Sequence, residues 1–200
     1  MTTRSNAVDK RRLILDAAIR VFAREGFHHC RVSEIANEAG VAYGLVYHYF
    51  RSKDEVLDTL FTERWTLLLE AISEVDARDL PIRDKLHAIA SFIIDSYQHD
   101  PDLMKVIIVE VTRAANTFGR AHLEEISQAY EGIATIIRKA QDAGELDPAL
   151  PPSAVAHFCL SLAVGTALVA PDLDDADDEE WATFLARLVP ALAPPIGAAT

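Results

Sequence analysis

What this chain lacks narrows it first. It has two cysteines, Cys30 and Cys159, far apart in 200 residues. That pair makes no disulfide framework, and buried thiols in a reducing compartment are the expected state. No apolar run reaches about 18 residues without charge, so no membrane span is expected. The N-terminal MTTRSNAVDKRR has no apolar segment before a cleavage site, so no signal peptide is expected and the expected location is the cytoplasm. Strand-like alternation and internal repeats are missing too. So are catalytic signatures. There is no HExxH, no paired cysteine ligand set and no glycine-rich phosphate loop. The histidines (His28, His29, His48, His87, His99, His122 and His157) are scattered. Asp172, Asp174, Asp175, Asp177 and Asp178 lack the glycine and closing glutamate of a calcium loop and read as a solvated acidic loop. No enzyme activity, metal or cofactor is expected.

Basic charge is also scarce, with 19 Lys and Arg against 31 Asp and Glu and a net charge of −12. Its distribution matters more than its sum. Residues 1–55 hold nine basic and seven acidic side chains, a net of +2, which leaves −14 on the remainder. A near-neutral head on an acidic body binds DNA with one face while the body is repelled. The small basic excess does not imply strong non-specific binding.

What is present is helical period in nearly every segment, so the expected fold is all-α with about nine helices. Helix 1 is expected from about Asn6 to Glu25, with Leu13, Ile14, Ala17, Ala18, Val21 and Phe22 on one stripe and Gly26 as its C-cap. Ser33 is the expected N-cap of helix 2, and Gly40 closes it. Helix 3 is expected over 43–49. Ser52-Lys53-Asp54-Glu55 reads as a capping box opening a long helix 4. Helices 5 to 9 are expected near 81–99, 102–113, 120–143, 153–169 and 179–192.

Residues 31–54 organise the rest. Val32, Ile35, Ala36, Ala39 and Val41 supply one short apolar face, and Val46, Tyr47 and Phe50 supply another. Helices this short hold only when packed on each other and on a third. A helix-turn-helix does that and leaves its second helix free to enter a DNA groove. Helix 3 then presents Tyr43, Gly44, Tyr47 and His48 outward. Tyr43 sits where recognition helices reach base edges, and Gly44 lets backbone approach DNA. Ser33 and Lys53, in the first turns of helices 2 and 4, lie where free N–H groups favour a phosphate.

The pattern Ser33, Ile35-Ala36, Glu38-Ala39-Gly40-Val41, Gly44, Tyr47, Tyr49-Phe50 and Lys53, with Gly26-Phe27 before it, resembles the TetR family of bacterial repressors. The resemblance covers about residues 10–60. It implies a DNA-binding domain over 1–52 and a ligand-binding and dimerisation domain over 53–200. It implies phosphate contacts by Tyr47 and His48. Ala42 and Leu45 depart from it, being apolar where many relatives carry hydrogen-bonding residues, and they suit thymine methyls. Tyr47 and Tyr49 also fit plain core packing. Arg4, Lys10, Arg11 and Arg12 suit either a solvated face or an arm approaching the minor groove.

The resemblance further implies a homodimer through helices 8 and 9 on a double-stranded DNA operator, with a small-molecule effector among helices 4 to 8. Small residues on helix 8 (Ala154, Ala156, Ser161, Ala163, Gly165, Thr166 and Ala167) suit close helix contact, in a dimer or within one chain. Phe92, Tyr97, Ile107, Phe118, Tyr130, Ile133, Phe158 and Leu162 are candidate cavity walls, and each also fits plain core. Glu110 and Arg113, three apart on an apolar helix, form either a mutual salt bridge or a clamp on a ligand headgroup. The Glu110-Val111-Thr112-Arg113 run is similar to one in TetR-family regulators of fatty-acid metabolism that bind long-chain acyl-CoA, which makes a fatty acyl-CoA the leading effector. The competing readings are a helical ligand-binding or scaffold protein without specific DNA binding, and a helical enzyme using Glu110 or a body histidine.

Overall fold

The computed structural model describes residues 2–112 and 121–169. Among them are eight helices and no strands. They are α1 (Thr2–Glu25), α2 (Val32–Glu38), α3 (Tyr43–Tyr49), α4 (Lys53–Ala77), α5 (Ile82–His99), α6 (Pro101–Thr112), α7 (Leu123–Asp142) and α8 (Pro152–Val169). The helix expected near 179–192 and the acidic loop before it lie outside the described residues. The chain divides into two compact units. One holds residues up to Trp65 together with α6, and the other holds Thr66–His99 with α7 and α8. The continuous helix α4 contributes to both.

In the first unit α1 packs on α2 and α6, and α2 packs on α3. Ile14, Leu15, Ala17, Ala18, Val21 and Phe22 of α1 are buried. Leu13 is not: it is 50% exposed, and Leu15 stands in its place in the core. Leu13 shares its helical row with Asp16 and Arg20, whereas Leu15 shares its row with Ile19 and Phe22, which fixes the buried face. The helix also begins four residues before Asn6, at Thr2. Lys10, Arg11 and Arg12 therefore lie within α1 and form no arm.

Several ends are set by capping chemistry. Gly26 has φ +79 and Gly40 φ +64, a conformation that side chains resist. At Gly40 the bonds Gly40 N–H to Asn37 O (3.1 Å) and Val41 N–H to Ala36 O (3.0 Å) form a Schellman ending. The start of α2 differs from expectation. Arg31, extended at φ −115 and ψ 152, is the N-cap, and Ser33 lies inside the first turn. The reason is Glu34, whose carboxylate accepts the Arg31 backbone N–H at 2.6 Å. For α4 the expected Ser52 cap forms: Glu55 N–H donates to Ser52 Oγ at 3.2 Å. Glu55 reaches back one residue further than a regular box, accepting from Arg51 N–H at 2.6 Å. At α6, Asp100 Oδ1 accepts the Leu103 N–H at 3.1 Å, so Pro101 opens this helix in the first-turn position it suits.

The second unit packs α5, α7 and α8 together. Ile82, Leu86, Ile89, Ile93 and Tyr97 form the buried face of α5, and Ile133, Ile136 and Ile137 anchor α7. Lys139 ties α7 to Asp76 at 2.8 Å, and Glu145 accepts the Ile82 N–H at 2.7 Å. Helix α7 passes close to α4 at Gly132, where an added Cβ would lie 2.9 Å from Ile72 Cγ2. Ile72 is buried and cannot swing away. Overpacking should outweigh the helix-propensity gain of about 1 kcal/mol. Gly132→Ala is expected to destabilise this unit by about 1–2 kcal/mol in denaturant unfolding.

Candidate nucleic-acid interface

The α3 helix divides into two faces. Val46 and the following Phe50 are buried, at 1% and 2% exposure, and anchor it to the head. Ala42, Tyr43, Gly44, Tyr47 and His48 are exposed, while Leu45 and Tyr49 are half-buried. Spacings of four place Tyr43 over Tyr47 and Gly44 over His48. The two tyrosines are 53% and 45% exposed, with ring centroids 5.1 Å apart, edge to face, and hydroxyls bonded at 3.2 Å. That hydrogen bond with Tyr43 holds Tyr47 above the usual phenol range. Nothing lies within 4 Å of a Cβ added at Gly44. The outer face of α3 is thus a small, flat, uncovered surface of two rings and bare backbone.

Most arginines of the head are neutralised internally. Arg20 and Arg24 bond Glu38 at 2.8 and 3.4 Å, tying α1 to α2. The bond from Arg20 holds the Glu38 carboxyl below its usual range. Arg11 and Arg12 meet Glu63 at 3.3 and 3.6 Å, and Arg11 also lies over the Phe50 ring. The side chains of Lys10, Arg31 and Arg51 have no acidic partner among the described residues. Arg31 caps α2 and Arg51 follows α3, so these two flank the helix pair. Their positions at the ends of the two helices were the readable signal, and the motif pattern passed over them.

Lys53 stands elsewhere than expected. Its ammonium donates to the carbonyls of Phe27 (2.7 Å), His28 (3.2 Å) and Cys30 (3.1 Å). It also lies 4.8 Å from the centre of the Phe27 ring. An ammonium has three protons, and all three are engaged. The side chain holds the turn between α1 and α2 and is not offered to a phosphate. The same turn is closed by Cys30, whose Sγ donates to Phe27 O at 3.2 Å. Burial pushes the Cys30 thiol up, so it stays protonated.

The expected ligand-binding residues are divided between the two units. Ile107 and Glu110 are buried in the first unit, and Glu110 Oε2 lies 3.5 Å from His28 Nε2. Phe92, Tyr97, Tyr130, Ile133, Phe158 and Leu162 belong to the second unit. Tyr97 and Ile133 are core, and Tyr130 stacks on His157 at 4.0 Å. Phe158 is 54% exposed. Arg113 and Phe118 lie outside the described residues, and with Arg113 so does the expected pairing to Glu110.

Lys53→Met should separate the two roles of that lysine. Loss of a charged donor to the turn costs about 1.5–3 kcal/mol of stability. A phosphate contact would lower the slope of log affinity against log salt by about 0.9 on duplex DNA. The expected result is lower stability of the head in hydrogen exchange, weaker DNA binding and an unchanged salt slope.

The comparisons with known proteins agree with this geometry. Residues 14–60 match the model of the bacterial regulatory proteins, tetR family. The fatty acid metabolism regulator protein of Bacillus subtilis (strain 168) is 33% identical over 138 residues, covering 68% of this chain and 71% of its own length. The fold is shared with the fatty acid degradation regulator FadR from Bacillus halodurans, at a TM-score of 0.74 and 22% identity, over 94% of this chain and 96% of that one. It is shared equally with FadR from Bacillus subtilis in complex with stearoyl-CoA, at a TM-score of 0.74 and 24% identity, over 92% and 98% of the two chains. With a helix-turn-helix at its head and a third of the aligned residues in common with a regulator over about two thirds of this chain, this chain belongs to the TetR family of bacterial transcriptional regulators.

Proposed function

We propose that the chain is a homodimeric repressor that binds a palindromic operator through α3 and is released by a small amphipathic ligand, with a long-chain acyl-CoA as the leading candidate. The supporting observation is the uncovered α3 face, where Tyr43 and Tyr47 stand exposed between Arg31 and Arg51. On this reading residues 1–52 read DNA and residues 53–200 take the ligand and dimerise, in the cytoplasm. Tyr43 reads base edges. Ala42 and Leu45 lie against thymine methyls, and Gly44 brings backbone close to the duplex. Ser33, Tyr47, His48, Arg31 and Arg51 hold phosphates, with Lys53 positioning the scaffold behind them. No helix of the described residues is long and apolar enough to cross a membrane.

Dimerisation is proposed through α8 and the ninth helix expected near 179–192. The support is a stripe on α8 at spacings of four, three and four: Ala154, Phe158, Ser161 and Gly165 are all exposed. An exposed phenylalanine among small residues suits a self-complementary helix contact. Paired heads one helical turn apart would read more bases than one short helix can. The ligand class rests on the name of the Bacillus subtilis relative, a fatty acid metabolism regulator, and on the stearoyl-CoA held by a protein of this fold. Such a ligand releases DNA only if it binds the free arrangement better than the bound one.

A gel shift on the chain's own upstream region tests the reading. A specific complex is expected at roughly 10⁻⁸ M or tighter at physiological salt, dissociated by long-chain acyl-CoA and not by free coenzyme A. Uniform affinity of roughly 10⁻⁴ to 10⁻⁶ M on every sequence would support the competing ligand-binding or scaffold role. Arg31→Ala and Arg51→Ala should each lower the salt slope by about 0.9. Gly44→Ala should leave the free protein unharmed, or up to about 1 kcal/mol more stable, while weakening the specific complex.

A further inference from the structure

A cavity of about 210 Å³ lies within the first unit, between the end of α1, the turn after it and α6. An apolar cavity of roughly 150 Å³ is enough to hold benzene. The floor here is buried and mostly apolar: Phe22, Phe27 and Val106, with the carboxylate of Glu110. Ala23 and Val109 are half-buried walls. The rim is different in kind. His28, His29 and Lys105 are all exposed there, and Lys105 has no acidic partner among the described residues. In a chain of net charge −12, this mouth carries one ammonium and two imidazoles.

We propose that this cavity binds a small carboxylate with a compact aromatic or branched apolar body. The body lies against Phe22, Val106 and Val109, and the carboxylate meets Lys105 and the histidine pair at the rim. The polarity follows from the charges. A cationic ligand would have to pass the Lys105 ammonium. Glu110, the one acid lining the cavity among the described residues, already faces His28 Nε2 at 3.5 Å. A neutral ligand would gain no charge pairing from the Lys105 ammonium. The size excludes a long acyl chain within this cavity, so the site is separate from the effector proposed for the body. It does not depend on that reading or on DNA binding. One wall is the turn whose carbonyls Lys53 holds, so occupancy would bear directly on the support of α2.

Benzoate titrated into the full-length chain, followed by the histidine ring proton resonances, tests the proposal. His28→Gln and His29→Gln assign the two signals. Saturable shifts in the millimolar range are expected at His28 and His29, with the other histidines still. Benzyl alcohol, of the same shape without the charge, should bind at least about tenfold more weakly, and Lys105→Met should weaken benzoate by about tenfold. Val109→Trp, which fills the cavity, should abolish saturation, and Ala23→Phe provides a second filling variant should the first fail to fold. The proposal is overturned if neither histidine shifts saturably. It is equally overturned if benzoate and benzyl alcohol bind alike, or if a folded filling variant leaves the titration unchanged.

Discussion

One ammonium holds the head together. Lys53, the first residue of α4, bonds three carbonyls of the turn that follows α1 and covers the Phe27 ring. A helix end leaves carbonyls without intrahelical partners, and a turn this tight cannot supply enough N–H groups of its own. A cation fixed on another helix satisfies several at once, and charged donors make the stronger bonds. Because Ser52 caps α4, the lysine is held at a defined point on the helix. Because Glu34 takes the Arg31 N–H, α2 starts at a defined residue beyond the turn. The placement of α3 rests on this chain of contacts, since α3 is packed on α2.

The electrostatics of the head favour selectivity over general attraction. Arg20 and Arg24 close on Glu38, and Arg11 and Arg12 close on Glu63, so few cations face outward. Exposed pairs of this kind add little stability. Residues 56–200 carry a net charge of −14, and on the proposed reading the α3 face is where a duplex approaches. That face offers two rings, bare backbone at Gly44 and a single imidazole, with Arg31 at the start of α2 and Arg51 just after α3.

The fold was largely legible in the residues, and the site only in part. The limits of α3 could be read because Gly40 demands a left-handed turn and because Val46 and Phe50 leave one way to bury a helix so short. The outward set Tyr43, Gly44, Tyr47 and His48 followed from the same periodicity. Leu13 and Leu15 were not separable that way, since both border the apolar stripe and only the polar row through Asp16 and Arg20 decides. Ser33 looked like a cap by residue type, but a carboxylate three residues past Arg31 won the helix start. Lys53 shows the general limit. It takes its partners from a distant turn, and local spacing carries no information about such contacts. The alternation of helical rows likewise could not tell that Phe158 faces outward, because α8 is apolar nearly all round.

The central claim is that the outer face of α3 is what touches DNA. Hydroxyl-radical labelling of the full-length chain, with and without an operator duplex, measures it at single side chains. The account requires that Tyr43 and Tyr47, both readily oxidised while free, lose most of their labelling when DNA is bound, and that Tyr130 in the second unit keeps its own. Equal labelling of Tyr43 and Tyr47 in a saturated specific complex would contradict it.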